Sequence, residues 1–66
     1  MRHTSTYKNI RTGLLNTMQR FGKRYTKRQV AVLLKSLETY DDEESIRITA
    51  VYRQVCIDMH LIDGVK

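Results

Sequence analysis

The sequence predicts a small all-α domain of three helices, with residues 1–66 as one unit. Three observations point there. Apolar residues recur every three or four positions through three separate windows, the period of an α-helix face. The chain has no proline and only three glycines, a composition that suits helices rather than a many-turned β-domain. Two short stretches, around Gly22 and from Asp41 to Glu44, carry helix stop and start signals.

The first helix is expected over about Tyr7 to Phe21. Thr4, Ser5 and Thr6 are candidate N-caps. Tyr7, Ile10, Leu14, Met18 and Phe21 form its apolar stripe, with Phe21 read as core. Arg11 lies inside that stripe by angle and must reach outward or meet an acid. Gly22 is a natural helix terminator.

The second helix is expected over about Lys27 to Tyr40. Thr26 and Gln29 have the spacing of a capping box, T-x-x-Q, so Thr26 is read as the N-cap. Val30, Leu33, Leu34, Leu37 and Tyr40 make the buried face, and Val32 falls on the polar side as a small contact surface.

The third helix is expected over about Glu43 to Ile62, ending near Asp63-Gly64. Asp41 or Asp42 caps it, and Glu43 and Glu44 complement the helix dipole in its first turn. A broad stripe holds Ile48, Val51, Tyr52, Val55, Met59 and Ile62; a narrower one holds Ile46, Ala50, Ile57 and Leu61. A helix apolar on two sides is central to its fold. Either both stripes meet the other helices, or Ile46, Ala50, Ile57 and Leu61 form a homodimer surface.

The formal net charge of +5 hides a strong asymmetry. Residues 1–37 hold nine Lys or Arg and no acid, whereas residues 38–66 hold three bases and all seven acids. Such a division suits a polyanionic partner for the basic half. The densest basic run is "RFGKRYTKRQVAV", Arg20 to Val32, which spans the expected junction of the first two helices. Free amides at a helix start, the positive end of its dipole and Lys or Arg side chains together make a phosphate site. Arg20, Lys23, Arg24, Lys27, Arg28 and Lys35 are the candidate phosphate contacts, and Tyr25 is placed to stack on a base or pack on a sugar. The expected partner is nucleic acid, DNA favoured over RNA.

Residues "KRQVAVLL" resemble the first helix of a helix-turn-helix motif, and "ITAVYRQV" followed by "LIDGV" resembles the recognition helix and wing approach of winged-helix regulators. The resemblance implies a reader of duplex DNA. It departs from the pattern where the second connection is long and acidic and the third helix opens on Asp41, Asp42, Glu43 and Glu44, which phosphates repel. The competing class is an adaptor or inhibitor that binds a protein partner through the acidic turn, Val32 and the third helix.

Other chemistries find little footing. Cys56 and His60 stand four apart on one helix face, but a structural zinc site needs four ligands and His3 is the only other histidine, so no metal or other cofactor is expected. There is no Gly-rich phosphate loop, no nucleophile constellation and no pair of carboxylates with a cleft, so no catalytic residues are expected. A single cysteine rules out an internal disulfide and suits a reducing cytoplasm. Residues 1–10 lack the apolar segment of a signal peptide, and the longest apolar run, "VAVLL", is too short to span a bilayer, so no membrane partner is expected.

Overall fold

The computed structural model describes residues 2–63, with side chains from residue 6 onward. It consists of three α-helices: α1 (Arg2–Phe21), α2 (Lys23–Leu37) and α3 (Glu43–Asp58). Each packs on both of the others. The Cα radius of gyration is 11.6 Å, close to the roughly 11 Å expected of a folded chain this long.

Helix α1 starts at Arg2, so Thr4, Ser5 and Thr6 lie within the helix rather than capping it, and the side chains of Thr4 and Ser5 fall outside the described residues. Leu14 is buried, and Tyr7, Ile10 and Met18 pack partly against the core. Phe21 does not join them; it is 61% exposed. The helix ends there because Gly22 leaves helical geometry at φ 98, ψ 158, a region that only glycine occupies readily.

Helix α2 then begins at Lys23, four residues before the expected start. Its N-cap is Gly22, with no side-chain hydrogen bond. Thr26 is therefore not a cap. It sits inside the first turns, fully buried, and its Oγ1 donates to the Gly22 carbonyl at 3.0 Å. The T-x-x-Q spacing is only an imitation of a capping box. Val30 and Leu34 are buried as expected and Leu37 is half-buried, but Leu33 is 40% exposed. Helix α2 stops at Leu37, so Tyr40 belongs to the connection and is exposed.

The connection of residues 38–42 leads to α3, whose start follows the expected logic. The Asp42 carboxylate accepts from the Ser45 backbone N–H at 3.1 Å and from the Ser45 hydroxyl at 3.0 Å. These bonds, side chain first, hold its carboxyl below the ordinary carboxylate value. Val55 and Cys56 are fully buried; Thr49 is nearly so, and its hydroxyl donates to the Ser45 carbonyl. Ile48, read as part of the broad stripe, is 40% exposed.

The end of α3 comes four residues early. His60 adopts the left-handed conformation at φ 61. Its N–H reaches the Ile57 carbonyl at 3.0 Å, and the Leu61 N–H reaches the Cys56 carbonyl at 2.8 Å. This is a Schellman motif with histidine where glycine is usual. The turn swings Leu61 back onto the core, where it is buried beside Cys56. Leu61 is therefore withdrawn from any surface for a second copy. Of the four residues proposed for that surface, Ile46 and Ala50 are exposed and Ile57 is half-buried.

Helices α1 and α3 are tied by a polar cluster at the surface. The Tyr7 hydroxyl donates to Asp58 Oδ2, and Gln54 Nε2 donates to Asp58 Oδ1 at 2.9 Å. The Tyr7 bond, followed by that of Gln54, depresses the Asp58 carboxyl. The same bond raises the Tyr7 hydroxyl above its ordinary value. Arg11, the base within the α1 stripe, is exposed, and its charge contributes to the Asp58 shift.

Candidate nucleic-acid interface

The basic run folds into a sharp corner. One residue, Gly22, separates α1 from α2, so the last turn of one helix and the first turn of the next share one end of the molecule. Arg20 lies in the last turn of α1. Lys23 and Arg24 occupy the first two positions of α2, where Lys27 and Arg28 were expected. Lys27 and Arg28 follow one helical turn later, four residues behind Lys23 and Arg24 respectively, and so extend the same two rows. All five side chains are exposed.

The α2 start is electrostatically unusual. Its first turn contains no acid, and its cap offers no oxygen to the free amides. Basic side chains there oppose the helix dipole. No acid among the described residues forms an ion pair with them. Among the described residues the ion pair present joins Arg53 to Glu38, both in the acidic half. The acidic turn lies at the far end of α2, and fifteen residues at the helical rise put it about 22 Å away. That is well over the Debye length of about 8 Å at physiological salt, so the acids of that turn do not cancel the field of the corner.

Lys35 is not gathered with the others. It is exposed on the same side of α2 as Arg28 but seven residues on, about 10 Å along the axis. Tyr25 is at the corner, 45% exposed, and its ring lies against Phe21 with centroids 4.9 Å apart and planes tilted by 35°. The sequence reading missed Phe21 as a surface residue. Its position fits the α1 stripe by angle, but it is the last residue of the helix and the core stops short of it.

Beside these rings an open cleft of about 350 Å³ runs between α1 and α2. Phe21 and Tyr25 line it together with Leu14, Gln29, Leu33 and Tyr52. A second cleft of about 260 Å³ lies between the end of α2 and the start of α3, lined by Leu37, Tyr40, Ile46 and Ala50 and closed at one side by Glu38 and Arg53.

Cys56 and His60 do not share a helix face, because His60 lies beyond the end of α3. The Cys56 thiol is sealed in the core, and burial pushes it up to about 11. Among the described residues no three His, Cys, Asp or Glu side chains are grouped to hold a metal ion. No helix of the described residues is long and apolar enough to cross a membrane. No protein-family model matches the chain, and comparison with curated proteins and with solved structures finds no significant match.

Proposed function

We propose that this chain is a small nucleic-acid-binding protein, most simply a DNA-binding regulator of the cytoplasm, that holds phosphates at the α1–α2 corner. One observation carries the reading: Arg20, Lys23, Arg24, Lys27 and Arg28 crowd an uncapped helix start, with no ion pair among the described residues to neutralise them. Concentrated positive charge without an internal partner is the electrostatic footprint of a polyanion binder. Lys35 extends the contact along α2. The acidic start of α3 favours an approach from the corner over insertion of α3 into a groove.

The test is a titration with duplex DNA at several salt concentrations. Four phosphate contacts predict a slope of roughly −3.6 in log K against log salt. Replacing Lys23, Arg24, Lys27 and Arg28 together with Gln should nearly abolish binding while leaving the circular dichroism spectrum unchanged. Full affinity in that variant would place the contact elsewhere.

The second cleft favours one further reading, a protein partner or a second copy of the chain. Tyr40 and Ile46 are more than half exposed there, beside Ala50 and next to the acidic turn. Ile46→Glu is the discriminating change, because an exposed side chain is replaced without burying a charge. A loss of self-association in sedimentation, or of capture of a basic peptide, would support this surface. A wild-type monomer at high concentration would remove the homodimer.

A further inference from the structure

We infer that the corner takes its nucleic acid as an unpaired strand, with a base laid against the Phe21–Tyr25 ring pair; this rests on the phosphate-binding reading above. Phe21 and Tyr25 are four residues apart across the helix break, 61% and 45% exposed, and already in contact with each other. Single exposed apolar residues are ordinary, but two touching aromatic rings beside Arg20, Lys23 and Arg24 combine both components of single-strand recognition: a stacking surface and a positive track for the backbone. The corner brings them together because Phe21 follows Arg20 directly in the chain, while Tyr25 follows Arg24.

The cleft beside the rings supplies the remaining features. Its apolar wall of Leu14 and Leu33 suits the flat, weakly hydrated face of a base. At its rim Gln29 is exposed, and its amide offers two donors and an acceptor to a base edge. A duplex cannot use these rings, because its bases are stacked on one another and present only their edges in the grooves. An unpaired strand exposes the faces, and a phosphate on either side of a stacked base falls within reach of the basic side chains.

The experiment compares three probes with the full chain: oligothymidylate of about 12 nucleotides, within the usual site size of about 4–16, an abasic strand of the same length, and a duplex. Thymidylate and the abasic strand carry the same phosphates, so their difference isolates the bases. Thymidylate should bind about ten- to a hundredfold more tightly than the abasic strand. Both should share a salt slope near −2.8 for four contacts on a single strand. Phe21→Ala with Tyr25→Ala should lower thymidylate to the abasic level and leave both the slope and the abasic affinity in place. Phe21→Leu with Tyr25→Leu keeps apolar bulk without a flat ring and should do the same, which guards against a folding defect in the alanine pair. Equal binding of thymidylate and abasic strand, or a duplex bound at least as tightly as thymidylate, would overturn the stacking inference while leaving phosphate binding intact. Failure of all three probes at low salt would overturn the parent reading as well.

Discussion

His60 spends backbone energy to end α3. A residue with a Cβ in the left-handed region costs about 1 kcal/mol or more, and His60 holds that region at φ 61. The return is the burial of Leu61, which the turn delivers to the core. His60→Gly should therefore stabilise the domain by about 1 kcal/mol, seen as a rise in Tm of roughly 4–8 °C for a domain of this size. Thr26 allows a second test at this scale. If it capped α2, Thr26→Ser would be harmless and Thr26→Val costly. Its burial predicts the opposite order: Thr26→Ser loses a buried methyl, worth about 0.8 kcal/mol, while Thr26→Val keeps the shape. The Gly22 carbonyl retains the Thr26 N–H at 3.2 Å in either case. Chemical denaturation of the two variants separates packing from capping. Both residues show why local reading failed here: a T-x-x-Q spacing says nothing about burial, and histidine in a left-handed turn leaves no mark in the sequence.

The two internal helix starts are built on opposite electrostatics. Helix α3 opens on Asp42, Glu43 and Glu44, with Asp42 bonded to Ser45; this start was legible because acids complement a helix dipole and few other arrangements explain the four in a row from Asp41 to Glu44. Helix α2 opens on glycine, lysine and arginine, so its start was misplaced by one turn. The basic corner itself was legible, since clustering in sequence survives a shift of four residues. What was lost was the exposure of Phe21, because an apolar stripe read by angle does not show that the core stops short of the helix end. The carboxylates of Asp42 and Asp58 set the acid limit of these elements. Each has its folded value depressed below the ordinary 3.8 by hydrogen bonds, so its contribution is fully present above that value and is lost as pH falls through the depressed one. Tm should drop on acidification below about pH 4. Asp42→Asn, which keeps a capping oxygen, should remove the α3 share of that drop. On the alkaline side Tyr7 is raised, so its contribution holds below 10.0 and fades as pH climbs through the folded value. An acid limb unchanged by Asp42→Asn would assign the effect to the Asp58 cluster alone.

Across the whole molecule the three-helix architecture followed from periodicity, because three amphipathic stripes in so short a chain have few ways to bury one another. The core is built from every helix: Leu14, Val30 and Leu34, Val55 and Cys56, with Met59 and Leu61 following α3. The two stripes of α3 were less legible. Once the Schellman turn ends the helix, Leu61 leaves the narrow stripe, and what remains exposed is Ile46 and Ala50. Part of the charge segregation along the chain is kept in space: Arg20, Lys23, Arg24, Lys27 and Arg28 lie about the start of α2, and the acids from Glu38 to Glu44 lie beyond its end.

That arrangement depends on a single residue. Gly22 alone interrupts what would otherwise be one rod from Arg2 to Leu37. A Cβ at this position meets nothing within 4 Å, so the obstacle to alanine is backbone strain and not a clash. The strain costs about 1–3 kcal/mol in this region of φ and ψ. Gly22→Ala can escape it by letting residue 22 become helical, but α1 then points away from its own α2 and α3. The core stays available to the α1 of another molecule, and two such chains can exchange first helices and rebuild both cores, which is domain swapping. The variant should keep its helix content by circular dichroism and double its mass in sedimentation. A monomer with a lowered Tm would show that the corner bears the strain instead. The glycine that bends the chain into its basic corner is thus also what keeps each molecule folded on itself.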